Sequence, residues 1–376
     1  MNIENYPQTW IAHDRKIRAY QWSHRILNWL GLAIKIGVLY WLAKNHNGKM
    51  LQMMVFYGTS HLFLVWLGFF AAFGLALWLL CLPLSIAGHW VERKFGLSKQ
   101  SYGKWFIDQF KGIGVGVVLG TIMLGLLFLS QLWSPDSWWL IAATFMLLFS
   151  VLMAQLAPVI LVPLFFPLKP MPESGLKQRL MDLCRRFEVD VKEVYHLGMG
   201  DKTEKGNAAF MGLGKTKRIM IGDTLYEKYS EEEVEAVFAH ELGHQVHNDL
   251  WKGIGISTVF LYLGFGIAFY LTRDYVGPYF DARMTLPFGL LLFFVVLSIV
   301  QTPMGWVQAA WSRYRERLAD QFASETVGVP VPLADALEKL TFQNWGQFRP
   351  NALKEWLTYS HPAPWRRIFH LRGVKV

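Results

Sequence analysis

His240 and His244 stand four residues apart in His240-Glu241-Leu242-Gly243-His244. On a helix, positions i and i+4 share one face about a turn apart, so both imidazoles reach one ion roughly 2.0–2.1 Å from each nitrogen. Glu241, beside the first histidine, is placed to take a proton from water that such an ion acidifies. The pattern predicts metal-assisted hydrolysis with His240 and His244 as ligands, Glu241 as general base and one Zn2+ per chain. Histidines on an exposed helix face would show the same spacing, so the surrounding sequence must decide.

A catalytic zinc needs a third protein ligand and an open position. The long metzincin pattern requires glycine three places and histidine six places after His244, but His247 and Leu250 occupy them. The other common solution is a glutamate on a later helix. Ser312-Arg313-Tyr314-Arg315-Glu316-Arg317-Leu318-Ala319-Asp320 offers Glu316 and Asp320 on one face at i, i+4. Glu316 is read as the third ligand. Asp320 is read as the carboxylate that accepts a hydrogen bond from a ligand histidine and fixes its tautomer. His247 is read as a neighbour of the site.

The helix that must carry the histidines has a start signal. Ser230, with Glu233 three residues later, forms a capping-box pattern, and Glu231 and Glu232 favour the same start through the macrodipole. Upstream, Pro163, Pro167, Pro170 and Pro172 break the chain, and Ser174 caps a predicted helix with Leu176, Leu180, Leu183 and Phe187 at helical spacing. Strands are expected at 194–197, 207–211 and 218–221, the last two joined by a turn containing Gly212 and Gly214.

The rest of the sequence is apolar in long blocks. Hydrophobic residues make up 53% of the 376 residues and aromatics 15%, too much for an all-soluble chain. Crossing a hydrocarbon core takes about 20 helical residues. Spans are expected near 26–43, 62–84, 112–132, 139–164, 253–272 and 286–308, with the run from Met53 to Trp90 long enough to hold an extra re-entrant piece. The formal charge of +9 sits beside these spans: Arg15, Lys16, Arg18 and Arg25 precede the first, and Arg93, Lys94, Lys99, Lys104 and Lys111 fill the second connection. That is topology, not a nucleic-acid stripe. It puts both termini and the catalytic segment on the cytoplasmic face of a bacterial inner membrane or an ER-type membrane. Cys81 and Cys184 give no disulfide framework, and the polar first 20 residues have no signal-peptide pattern.

The expected fold is therefore mainly α, a polytopic helical membrane protein of about six spans with a small zincin-like α/β catalytic unit at the cytoplasmic face. Its parts are a four-helix block at 1–164, a zincin-like segment at 165–252, a two-helix block at 253–308 and a C-terminal segment at 309–376.

With these residues in place, the chain resembles the CAAX prenyl protease 1 family of integral membrane zinc metalloproteases. The likeness is carried by Leu82-Pro83-Leu84-Ser85, Val91 to Lys99, Pro163-Leu164-Phe165, Asn207-Ala208-Ala209-Phe210, Lys217-Arg218-Ile219, Asp223-Thr224-Leu225, the two metal segments, and Ser360-His361-Pro362 with Arg367-Ile368. The resemblance implies that Glu316 is the third ligand and that His361 and Arg367 act on the substrate carbonyl oxygen as negative charge develops. It also implies that Asn207, Ala208, Ala209 and Phe210 form the edge strand on which extended substrate lies. The family's water-filled intramembrane chamber would give Lys35, in the middle of the first span, something other than lipid to face. Departures from the family bear on substrate preference: one span of the usual seven is missing, Glu204-Lys205-Gly206 replaces a serine-rich approach, and Ala209 stands where an aromatic is common.

The implied partners are a polypeptide substrate, prenylated or membrane-associated, and the lipid bilayer, with no nucleic acid; the sequence leaves the oligomeric state open. Trimming of prenylated tails competes with an HtpX-like quality-control role on damaged membrane proteins. A polytopic transporter would explain the spans but not the metal residues, and a metal-free scaffold would not explain an intact site.

Overall fold

The computed structural model describes residues 7–44, 61–212, 214, 217–279 and 287–374. Helix α1 (Gln8–Lys44) is followed by α2 (Leu62–Lys94), α3 (Tyr102–Trp133) and α4 (Trp138–Leu156), the last running on through a π-helical turn at Ala157–Leu161 to Phe165. Residues 53–60 of the long apolar run lie outside the described residues. Two more long helices come later: α8 (Asp249–Leu271), continuing to Tyr279, and α9 (Pro287–Val327). All six are long and apolar enough to cross a membrane. Their surfaces agree, because large apolar side chains such as Trp29, Leu75, Val117 and Ile299 point outward, where only hydrocarbon makes them favourable. Lys35 is exposed on α1.

Between the two membrane blocks lies a four-stranded sheet of order β1-β2-β4-β3. It is built from β1 (Leu168–Pro170), β2 (Val194–Leu197), β3 (Ala208–Met211) and β4 (Arg218–Gly222). β2 and β4 are parallel; β1 and β3 pair antiparallel at the two edges. The strands expected from alternation are β2, β3 and β4. β1 escaped because Pro167 before it and Pro170 at its end read as breakers, yet Pro170 sits on an edge where a missing N–H costs little.

Helix α5 (Gly175–Arg186) starts at Ser174, whose hydroxyl accepts from the Lys177 amide at 3.1 Å. It buries Leu176, Leu180 and Leu183 against the sheet and α7 (Glu231–Val246), which follows the short α6 (Asp223–Tyr226). The capping box of α7 is complete: the Ser230 hydroxyl accepts from the Glu233 amide, and the Glu233 carboxylate accepts from the Ser230 amide at 2.9 Å. Three short helices close the chain: α10 (Val331–Gln343), α11 (Ala352–Thr358) and α12 (Pro364–Leu371).

Helix α9, 41 residues long, measures about 60 Å at 1.5 Å per residue. That is twice a hydrocarbon core of about 30 Å. Its first half is apolar and its second half, after Trp311, packs against α7. One rod thus passes from the membrane block into the catalytic unit.

Candidate metal centre and active site

His240 and His244 face α9 from α7, their ring centroids 4.9 Å apart. Close approach of the two helices is set by Gly243: a Cβ there would stand 3.0 Å from Phe322 and 3.3 Å from the Ala319 backbone. Glu316, one turn before Ala319's successor Asp320, is brought between the two imidazoles. Its Oε2 lies 3.4 Å from His240 Nε2 and its Oε1 3.3 Å from His244 Nε2. Four ligands at 2.0–2.1 Å around a tetrahedral ion stand about 3.3–3.4 Å from each other. The separations therefore match ligands around an ion better than hydrogen bonds. Glu316 Oε2 is also buried without a hydrogen-bond partner, an atom that an ion at this place would satisfy. One nitrogen or oxygen from each of the three residues lies within 4.8 Å of the others, and they are the group among the described residues that could hold a metal.

Each histidine is backed by a carboxylate. Asp320 Oδ1 lies 2.9 Å from His240 Nδ1. Asp320 is in turn gripped by Arg367, whose Nε and Nη2 donate to its two oxygens at 2.8 and 2.6 Å. Burial alone would push His240 down, but Asp320 and Glu316 outweigh it and push the imidazole up to about 9. Desolvation pushes the Glu241 carboxyl above the usual carboxylate range, against the pull of His240 and His244. A raised carboxyl is a stronger base at neutral pH.

A second carboxylate, Asp249, stands against His244, with Oδ2 2.8 Å from Nδ1. Sequence reasoning missed it. A residue five places on lies about 140° round an unbroken helix, and no periodic pattern selects it. His247 caps the end of α7 and stands 5.8 Å, edge on, from Phe322, a neighbour of the site as read.

The last helices bring in the residues that only family likeness suggested. His361 Nε2 is 3.3 Å from Glu316 Oε1 and its side chain is 59% exposed, so it reaches the ligand cluster from the open side. Ser360 Oγ lies 2.8 Å from its Nδ1, which leaves Nε2 turned to the site. Arg367 also reaches the ligand cluster. Two of its nitrogens donate to Asp320, and Nη1 lies 3.4 Å from Glu316 Oε2. Ala208, Ala209 and Phe210 lie on the edge strand β3, with Asn207 just before it; the Asn207 carbonyl accepts from the Gly222 amide at 2.8 Å. Phe210 packs 5.3 Å from Phe238 of α7, which ties the strand to the metal helix.

Comparison with known proteins covers nearly the whole chain. Residues 170–375 match the model of peptidase family M48. Residues 19–166 match one described as CAAX prenyl protease N-terminal, five membrane helices; among the described residues this chain has four long helices there. CAAX prenyl protease 1 of Saccharomyces cerevisiae is 28% identical over 316 residues, 79% of this chain and 69% of its own length. The uncharacterized metalloprotease YhfN of Bacillus subtilis is 28% identical over 302 residues, 78% of this chain and 70% of its own. The crystal structure of S. mikatae Ste24p superposes with a TM-score of 0.85 at 23% identity, covering 96% of this chain and 88% of that one; the likeness is one of fold.

Proposed function

This chain belongs to peptidase family M48, and from that membership we propose a zinc metalloendopeptidase that cuts membrane-associated or lipidated polypeptides in the manner of CAAX prenyl proteases. The observation that carries the reading is the convergence of His240, His244 and Glu316 at 3.3–3.4 Å beside Glu241. Those three residues fit a zinc ion and would hold it; when bound, it supplies a Lewis acid for the peptide carbonyl and acidifies water.

The chain's own groups supply the rest. Glu241, desolvated and on the same helix as two ligands, takes the proton from the attacking water and delivers it to the leaving amine. His361 donates from Nε2 to the carbonyl oxygen as charge develops. Arg367 acts through Asp320, keeping His240 aimed. Substrate extends along the outer edge of β3, pairing with the Asn207–Phe210 backbone while its side chains alternate.

The placement of Trp10 against Phe348, ring centroids 4.4 Å apart, supports an even number of crossings with both ends on one side, which the basic loops make the cytoplasmic one. Changing Glu241 to Gln should keep zinc and reduce cleavage by several orders of magnitude, read by metal analysis and peptide turnover on the purified protein. Substrate class is tested with a farnesylated peptide and its unmodified twin. Faster cleavage of the lipidated form is expected, and equal rates would remove the prenyl-protease assignment while leaving the peptidase.

A further inference from the structure

His244 is held by a carboxylate and an arginine that the mechanism above does not use. Its Nδ1 lies 2.8 Å from Asp249 Oδ2, leaving Nε2 3.3 Å from Glu316 Oε1. The other oxygen of Asp249 accepts from Arg315 Nε at 2.5 Å, and the two side chains are 12% and 9% exposed. Arg315 directly precedes Glu316 on α9 and lies over the Trp311 ring at 5.8 Å. Asp249 reaches His244 only because the chain bends between α7 and α8. Asn248, at φ 55° and ψ 37°, takes the left-handed conformation that asparagine tolerates, and so sets Asp249 in the first turn of α8, facing back.

We infer that Asp249, pinned by Arg315, is a positioning residue of the metal centre: it fixes His244 with Nδ1 protonated and Nε2 aimed at the ion, as Asp320 pinned by Arg367 does for His240. Two carboxylate–arginine pairs thus stand beside the centre. One ties α9 to the C-terminal helix α12, and the other ties the ends of α7 and α8 to α9. A ligand histidine whose second nitrogen is bonded to a carboxylate is a better donor and cannot rotate, and here each carboxylate is itself immobilised. The Asp249 pair also borders a cleft of about 240 Å³ with Ser257 and Gln308 on its walls. Water can therefore enter when the side chain is shortened, so truncation removes the orienting group without leaving an empty core.

This inference rests on the reading of His240, His244 and Glu316 as the metal centre, and its test does not depend on turnover. The full-length purified protein is titrated with Zn2+ in competition with a chromophoric chelator, and with Co2+ for its visible absorption. Asp249→Ala should weaken Zn2+ binding about 10–100-fold and shift the Co2+ bands. Asp249→Asn, which keeps an acceptor but loses the charge, should weaken it about 3–10-fold. Arg315→Gln should weaken binding in the parent but add nothing in the Asp249→Ala background, since it acts through Asp249. Affinity within about twofold of the parent for either Asp249 variant, with unchanged Co2+ bands, overturns the inference. So does an Arg315→Gln effect of the same size in both backgrounds. If Asp249→Ala does not fold, Asp249→Asn carries the test by itself. A parent chain that takes up no Zn2+ is a distinct result: it removes the centre itself, and the positioning role with it.

Discussion

Asp320 answers to two partners at once, taking both nitrogens of Arg367 and standing against His240 Nδ1. A planar guanidinium in such a fork is not replaceable by a point charge. Arg367→Lys should keep one zinc per chain, because no ligand is lost, yet lower kcat by tenfold or more as His240 and Asp320 lose their common brace. Metal analysis with peptide-cleavage kinetics checks this, and full activity in the lysine variant would show that the bidentate grip is idle. The contrast with what the sequence revealed is instructive. His240, His244, Glu316 and Asp320 were legible because each pair repeats at four-residue spacing on one helix, and a helix converts that spacing into proximity. His361 was invisible to spacing, since its place 3.3 Å from Glu316 depends on how some forty intervening residues fold. Asp249 was invisible for a local reason, the single left-handed residue before it.

At the scale of elements, the metal centre is a contact between two helices, and the contact has a thickness. Gly243 and Ala319 let α7 and α9 approach until a Cβ at Gly243 would stand 3.3 Å from the Ala319 backbone. Helices normally pack 8–10 Å apart according to the side chains between them. The three carbons that valine adds at Gly243 therefore force the ligand pair on α7 away from Glu316 on α9. Gly243→Val should cost about 1–3 kcal/mol through overpacking and weaken zinc binding more than tenfold, measured by thermal unfolding with and without metal and by chelator competition. Undiminished zinc affinity would mean that the helices can separate without disturbing the ligands. The capped start of α7 and three of the four strands were legible from Ser230, Glu233 and alternating apolar residues. The parallel pairing of β2 with β4 was not, because register between strands separated by 20 residues is decided by packing against α5 and α7, not by either strand alone.

Over the whole molecule, the membrane part does more than anchor the enzyme. Helix α1 has 37 residues, and about 20 suffice for the bilayer, so its first half stands outside and must be accounted for. It is docked along the C-terminal segment. Trp10 and Ile17 are each 1% exposed, Trp10 donates to Glu338 at 2.7 Å, and Asp14 accepts from the Phe348 and Arg349 amides at 2.8 and 3.0 Å. The segment so gripped leads into α11 and α12, the part that presents His361 and Arg367. The ligands themselves lie on α7 and α9, which pack directly against each other. Removing the anchor should therefore uncouple the two halves of the site. Trp10→Ala, a deletion of a fully buried indole, should cost about 3–5 kcal/mol locally. Its expected signature is an unchanged zinc stoichiometry, cleavage at least tenfold slower, and new proteolytic sensitivity between 331 and 374. A variant that cleaves normally and resists protease would make the outer half of α1 a passive extension. A variant that loses zinc together with activity would show instead that α1 supports the metal helices directly.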